Sequence, residues 1–202
     1  MAFVRPTPDQ EASEPITALF DEDRATWGFV PNFTRTFALR PDVYRAWQLL
    51  NATIKSSMDR RRYELATVAA AAALRSSYCT LAHGRVLAEQ FLPAEGVIQL
   101  LTDRPAAPLD VVESAVVGFA EKVALHADQV IQADIDALRA LGLTDEEIFD
   151  VILASSARCF FAKALDASGT EPDAAYRQLE PGLVEALTVG RPVAEAIDGE
   201  TR

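Results

Sequence analysis

The chain has 202 residues, of which 50% are hydrophobic and 24% charged, a composition typical of one globular domain or two small, closely packed ones. Its formal net charge is -11, and such a surface repels polyanions, which argues against a nucleic-acid partner or an anionic membrane. The longest apolar stretch, residues 65–74, is far shorter than the roughly 18 residues of a membrane span, and no apolar leader precedes Pro6. We therefore expect a cytoplasmic protein.

Apolar residues recur at helical spacing along the chain, which predicts an all-α fold. Ser13 is expected to cap a first helix that ends at Gly28, and Pro41 to open a second that ends at Ser56. We expect an N-terminal extension over residues 1–12, a single helical domain over 13–189 and a flexible acidic tail over 190–202.

The next predicted helix is almost wholly apolar. Asp59 is expected to cap it, and it runs through the stretch Leu65–Leu74, which contains five consecutive alanines. A helix without a polar side needs neighbours on several sides, and we expect other subunits of a homo-oligomer to be among them. A turn at Ser76-Ser77 precedes a further helix from Tyr78 to Phe91.

The second half of the chain repeats these signals. A short helix is predicted from Ala94 to Leu101, and another begins at Asp110. Ala133-Asp134 opens the next, and Thr144 with Glu147 fits a capping box at the start of a long one. A final weak helix is expected to begin at Pro172.

Cys79 and His83 are the first candidates for chemistry. They stand four residues apart, on one face of the predicted helix, with the cysteine in its first turn. A helix N-terminus favours a thiolate, and a nearby imidazole can take the thiol proton, so this arrangement is typical of an activated nucleophile. The alternative is structural: Ser77 caps the helix and Cys79 is a small buried residue.

Glu64 stands just ahead of the apolar run, where an ionised carboxylate must find a partner or have its pKa raised. Beside an imidazole, it would form a proton relay. On one straight helix Glu64 and Cys79 would lie about 22 Å apart, so the chain must turn at Ser76-Ser77 for them to meet. Otherwise Glu64 serves a neighbouring subunit, or simply pairs with Arg60 or Arg61.

Taken together, Glu64, eleven further residues and Ser76-x-x-Cys79-x3-His83 resemble the active-site signature of the alkylhydroperoxidase AhpD-like, carboxymuconolactone decarboxylase superfamily. The resemblance spans about residues 15–180 and implies an all-helical fold in a homo-oligomer, a trimer or a multiple of one, or a dimer. Other segments are similar to the peroxidase-related branch of that superfamily: Gly28–Asn32, Tyr78–Gly84, Ala133–Glu147 and Glu171–Asp173.

The resemblance also implies a mechanism. Cys79 matches the cysteine that attacks a small organic hydroperoxide, and Glu64 and His83 match the residues that relay its proton. Ser76 occupies the position of the resolving cysteine, and a serine cannot form a disulfide with a sulfenic acid. Turnover then requires an external thiol or dithiol reductant, and we expect Ser76 and Tyr78 to shape the mouth of the site.

Relatives often carry an Asn-Arg pair close to Ala162-Lys163, which is a second departure. Nearby, Cys159 is a candidate replacement for the missing resolving thiol, provided that its Cα comes within about 7 Å of that of Cys79. The alternative is an inert core thiol, because its neighbours are apolar.

The remaining candidates predict little chemistry. His126 lies near a helix end and is interpreted as a capping or surface residue. Two histidines in different elements, without clustered carboxylates, predict no metal site, and no cofactor motif is present. Trp27 and Trp47 lie on apolar stripes and are expected in the core, although either can wall a pocket over Cys79.

Two other functions stay open. A lactone or keto-acid decarboxylase would use Glu64 and His83 as acid and base and need no redox partner. A non-catalytic oligomeric redox sensor or ligand-binding module would respond to oxidation of Cys79 by changing its assembly.

Overall fold

A computed structural model describes residues 2–195 of the chain, and all the regular structure in that range is helical. This confirms the all-α prediction. Short 3-10 turns at 9–11, 104–106, 127–129 and 174–178 connect the helices. In chain order the α-helices are α1 (Glu14–Trp27), α2 (Asn32–Phe37), α3 (Pro41–Ser57), α4 (Arg60–Ala73), α5 (Ser77–Gln90), α6 (Ala94–Thr102), α7 (Val111–His126), α8 (Gln132–Ala140), α9 (Asp145–Ser168) and α10 (Pro181–Leu187).

Several of these helix ends have the predicted caps. The side chain of Asp59 accepts a hydrogen bond from a backbone N–H in the first turn of α4, and Asp110 and Thr144 form capping boxes at α7 and α9. Gly28 ends α1 with a φ of 81°, a conformation that favours glycine. Ser13 lies at the predicted position before α1, but its side chain makes no capping bond.

Helix α4 forms the centre of the molecule. Its residues 63–71 are all buried, and α4 packs against α5, α7 and α9 of the same chain. Small alanine side chains allow these helices to approach closely. The expectation that α4 needs other subunits to cover it is therefore wrong, since one chain buries it on every side.

The chain reverses direction between α4 and α5. The reversal is centred on Arg75, which has a φ of 58°, and α5 begins at Ser77. The turn predicted at Ser76-Ser77 is thus present, but it begins two residues earlier, at Leu74. It lays α5 alongside α4, so that residues near the start of α4 face residues of α5 within one chain.

The end of the domain differs from the sequence prediction in one respect. No helix begins at Pro172: residues 174–178 form a 3-10 turn, and the last helix begins at Pro181. Pro181 is a better start because the side chain of Glu180 accepts hydrogen bonds from the backbone N–H groups of Gly182 and Leu183.

Residues 190–195, the first part of the predicted tail, contact the domain. The N–H of Gly190 donates to the hydroxyl of Ser77 (2.7 Å), the N–H of Ala194 donates to the carbonyl of Pro172 (2.9 Å), and Val193 is buried. A Cβ on residue 190 would lie 1.9 Å from the carbonyl oxygen of Arg75, so this approach requires glycine. The rest of the predicted tail, 196–202, lies outside the described residues.

Several large apolar side chains stay exposed in the single chain, notably Leu49 and Leu50 on α3 and Phe149 and Phe160 on α9. A homo-oligomer stays a prediction. Among the helices of residues 2–195, none combines the length and the hydropathy that crossing a membrane requires.

Candidate active site

A cavity of about 270 Å³ lies among α1 to α5, α9, the segment before α2 and the segment after α9. It contains three of the residues that the sequence singles out, Glu64, Cys79 and His83. Eight aromatic rings line it: Trp27, Phe29, Phe33, Tyr44, Trp47, Tyr78, Phe161 and Tyr176. The volume is near the lower end of small-molecule sites, and the lining combines apolar walls with a few polar groups, as such sites do.

Glu64 and His83 are in direct contact within one chain. Oε2 of Glu64 lies 2.5 Å from Nδ1 of His83. Burial raises the pKa of Glu64, but the hydrogen bond and charge of His83, together with the charge of Lys55, outweigh it and hold the pKa below its usual value. Burial and the positive charge of Arg158 lower the pKa of His83 more than Glu64 raises it. At neutral pH the pair is therefore a carboxylate and a neutral imidazole.

The alternative pairing of Glu64 with an arginine of its own helix is not observed. Arg61 instead binds Glu113 (Nε to Oε1, 2.5 Å), and Arg60 is exposed. The second oxygen of Glu64 faces Lys55 of α3, with 3.4 Å between Oε1 and Nζ. Fully buried itself, Glu64 thus lies between an imidazole and an ammonium group.

Cys79 lies at the third helical residue of α5 with only 2% of its surface exposed. His83, four residues on, shares its helix face and its cavity. The nearest charged group is one that sequence reasoning missed: Nη1 of Arg158 on α9 donates to Sγ of Cys79 at 3.6 Å. Sulfur is a weak acceptor as a thiol and a strong one as a thiolate.

Arg158 is a buried cation with no carboxylate partner among residues 2–195. It is 4% exposed, its Nε has no hydrogen-bond partner, and its guanidinium lies 5.8 Å from the Trp47 ring and 5.6 Å from the Phe161 ring. Burial alone would lower the pKa of Arg158, but Cys79 and Tyr63 raise it. The signal in the sequence is its position: Arg158 falls on the buried stripe of α9 that includes Val151.

Tyr78 connects two segments that are distant in the sequence, residues 28–32 and 171–173, to the cavity. Its hydroxyl donates a short hydrogen bond to Oδ2 of Asp173, whose Oδ1 accepts from the backbone N–H of Asn32 (2.8 Å). Burial raises the pKa of Asp173 to about 6, although these two hydrogen bonds act to lower it. The segments 28–32 and 171–173, 140 positions apart in the sequence, are therefore joined through one carboxylate beside Cys79.

Two other candidates lie outside the cavity lining. Ser76 is fully buried at the N-cap of α5, where its hydroxyl has no hydrogen-bond partner within the described residues. Cys159 points towards α7, with Sγ 3.7 Å from the carbonyl oxygen of Ala124, and burial raises the pKa of this thiol. Neither cysteine forms a disulfide, and the structure does not bring Cys159 to Cys79.

The two tryptophans and His126 take different positions. Trp47 is buried and also lines the cavity, whereas Trp27 is 46% exposed at its edge, so its expected place in the core is wrong and its place in the pocket wall is right. His126 is the last, exposed residue of α7. Within residues 2–195 no group of three or more His, Cys, Asp or Glu side chains is arranged to hold a metal ion.

Comparison with known proteins assigns this arrangement to a family. Residues 41–122 match the model of the carboxymuconolactone decarboxylase family, a stretch that holds Glu64, Cys79 and His83. A peroxidase-related protein from Ralstonia eutropha JMP134 with an alkylhydroperoxidase AhpD core superposes with a TM-score of 0.78 and 25% identity, over 87% of this chain and 94% of that one. The family model and this structure together support the AhpD-like, carboxymuconolactone decarboxylase superfamily.

Two further structures share the AhpD-like fold. A peroxidase-related protein from Silicibacter sp. TM1040 has a TM-score of 0.75 and 20% identity over 86% of this chain and 94% of that one. The debrominase Bmp8, in complex with 2,3,4-tribromopyrrole, has a TM-score of 0.71 and 18% identity over 91% of this chain and 96% of that one. A comparison with curated proteins finds no sequence match.

Proposed function

We propose that the protein is a thiol peroxidase that reduces small organic hydroperoxides through Cys79. One observation carries the proposal: Cys79, the Glu64–His83 pair and the unpaired cation Arg158 line the same aromatic cavity. The comparisons support the proposal, because two of the solved structures similar to this chain are those of peroxidase-related proteins.

The proton path follows from the Glu64–His83 contact. Since Nδ1 of His83 faces a carboxylate, the neutral imidazole carries its proton on Nδ1 and keeps a lone pair on Nε2. Nε2 takes the thiol proton of Cys79, and Glu64 stabilises the imidazolium that results. Arg158 then stabilises the thiolate as its counter-ion, which also explains a buried guanidinium without a carboxylate.

The thiolate attacks the terminal oxygen of the hydroperoxide, and the O–O bond breaks as the S–O bond forms. The alkoxide that leaves takes the proton held by His83 and departs as an alcohol. Sulfur loses two electrons to the peroxide, and Cys79 becomes a sulfenic acid. Aromatic walls and a volume of about 270 Å³ suit a small alkyl or aryl hydroperoxide.

The test is trapping of the sulfenic acid. Reduced protein is treated with one equivalent of cumene hydroperoxide and dimedone, and the adduct is located by intact and peptide mass spectrometry. The parent and Cys159→Ser should form an adduct on Cys79 within seconds, and Cys79→Ser should form none. Absence of adduct on Cys79, or equal slow labelling of Cys159, would overturn the proposal.

The name of the matching family and the Glu64–His83 pair favour a second candidate, decarboxylation of a lactone or keto acid. That reaction needs an acid and a base, not a thiol. If the protein is such a decarboxylase, Cys79→Ser should still convert the lactone or keto acid, whereas Glu64→Gln should not.

A further inference from the structure

We infer that the reductant of oxidised Cys79 is a small monothiol carrying a negative charge, rather than the thiol or dithiol of another protein. The inference rests on the proposed function, because only a Cys79 that becomes oxidised needs a reductant. Three observations support it: the site has no second thiol, the cavity that leads to Cys79 is small, and the lining of that cavity is positively charged.

No second thiol in the chain is placed to resolve the sulfenic acid. Residue 76, one turn before Cys79, is a serine. The other cysteine, Cys159, has its sulfur against the carbonyl of Ala124 on α7 and does not line the cavity. The oxidised sulfur must therefore wait for a thiol that comes from outside.

The route to Cys79 admits small molecules only. Its side chain is 2% exposed and contacts solvent space through the cavity of about 270 Å³. The cavity reaches the surface where its lining is exposed, at Trp27 and Phe29. Thiol–disulfide exchange requires direct approach of one sulfur to another, and a cysteine on a folded protein cannot enter a space of this size.

The route is also positively charged, on a chain whose net charge is -11. Lys55, Arg85 and Arg158 line the cavity, against the carboxylates Glu64 and Asp173. His83 and Lys55 already hold Glu64. The lining therefore carries three cations against two carboxylates, an excess that favours the entry of a carboxylate over that of a cation.

Arg85 and Arg158 each have an N–H group that makes no hydrogen bond. The Nε of each is buried and has no hydrogen-bond partner. Arg85 stacks on the ring of Trp27 at 5.8 Å, beside the mouth, and its ion pair with Glu89 is long, at 3.6 Å. A thiol with a carboxylate would pass Arg85 first and reach Arg158 at the sulfur of Cys79.

The cycle balances with two molecules of the monothiol. The first attacks the sulfenic acid, forms a mixed disulfide with Cys79 and releases water. The second molecule attacks this mixed disulfide. It forms a free disulfide with the first molecule, and Cys79 is released as a thiol. The hydroperoxide is the oxidant, and the two thiols supply the two electrons.

The access and charge requirements can be tested without peroxide. In a Cys159→Ser background, Cys79 is converted to its methyl disulfide with methyl methanethiosulfonate, and release is followed by intact mass spectrometry. The matched probes are 3-mercaptopropionate and cysteamine, which have the same length and opposite charge, with reduced thioredoxin as the protein thiol. Each rate is divided by the rate of the same thiol with dimethyl disulfide, an uncharged disulfide, which removes intrinsic reactivity.

We expect 3-mercaptopropionate to exceed cysteamine by about a hundredfold after this correction, because the two probes differ by two unit charges and each unit charge about 10 Å away changes the rate about tenfold at an effective dielectric constant of about 20. Thioredoxin should release no methanethiol in the same time. Equal corrected rates for the two small thiols, or fast release by thioredoxin, would overturn the inference.

A variant tests the assignment of the charge. Arg85→Gln should reduce the preference for 3-mercaptopropionate, whereas Lys163→Gln, which removes an exposed cation of α9 outside the cavity, should leave it unchanged. An unchanged preference in Arg85→Gln with a loss in Lys163→Gln would contradict the route. Because no peroxide is used, this result is independent of sulfenic acid trapping.

Discussion

The guanidinium of Arg158 lies 3.6 Å from the sulfur of Cys79 and forms no ion pair with any carboxylate of the described chain. A buried cation without a carboxylate partner is costly, and the sulfur of Cys79 accepts a hydrogen bond from it. We therefore expect the reactivity of Cys79 to be coupled to the presence of Arg158.

Arg158→Gln should slow alkylation of Cys79 by iodoacetamide at pH 7 by about tenfold or more, because the thiolate loses a charge-assisted hydrogen bond. Arg158→Lys keeps the charge and should retain part of the rate. Lys163→Gln, on the exposed side of the same helix, serves as the control and should match the parent. Parental rates in Arg158→Gln, with circular dichroism showing a folded protein, would contradict the coupling.

Glu64→Gln tests the proton relay. A glutamine cannot stabilise an imidazolium, so formation of sulfenic acid on Cys79 should slow by about a hundredfold. Since Glu64 acts to raise the pKa of His83, the variant should lower that pKa further, which proton NMR of the His83 ring would measure. Glu121→Gln, which loses an ion pair with Arg104 instead, should change neither quantity.

Asp173→Asn should make stability less dependent on pH. The pKa of Asp173 is about 6 in the folded chain, against about 3.9 when unfolded. The folded state therefore binds more protons between these values, and the stability that this gives is complete below pH 4 and lost as pH rises through 6. The parent should lose about 3 kcal/mol more than the variant over that interval.

Urea unfolding at pH 4 and pH 7 measures the difference in unfolding free energy for both proteins. The control is Asp136→Asn, on the exposed face of α8, which should follow the parent. Equal pH dependence of the parent and Asp173→Asn would show that the carboxylate is not buried in the folded protein as described.

Gly190→Ala should destabilise the fold by about 1–3 kcal/mol, the usual cost of overpacking. Its Cβ would lie 1.9 Å from the carbonyl oxygen of Arg75, and relief of the contact would move the turn that positions Cys79. Gly118→Ala, in the middle of α7 with nothing within 4 Å of its Cβ, should be neutral or stabilising by about 0.5–1 kcal/mol. Thermal unfolding of both variants checks this contrast.

Local signals account for what the sequence predicted well. The caps at Asp59, Asp110 and Thr144 depend on residues within one helical turn, and the meeting of Glu64 with His83 depends on a single chain reversal. Contacts between distant segments could not be predicted in this way. The hydrogen bonds of Asp173 reach across 95 and 141 positions, and nothing near it in sequence indicates either partner.

Arg158 was missed for a related reason. A charged residue in a helix is usually solvent-exposed, and only the burial of its neighbours by α3 and α4 shows that this one faces inwards. The contacts of residues 190–195 could not be predicted for the same reason: polar and glycine-rich ends commonly fray, and nothing near Gly190 in the sequence indicates its bond to Ser77.

The bond from Gly190 to Ser77 has a consequence for biosynthesis. Cys79 is translated more than a hundred residues before the glycine that fastens its turn, and Asp173, which closes the aromatic wall, is also translated much later. Until both residues have left the ribosomal exit tunnel, the nascent chain has neither contact. The surroundings of Cys79 are therefore complete only after residue 190 has emerged, long after the helix that carries the thiol.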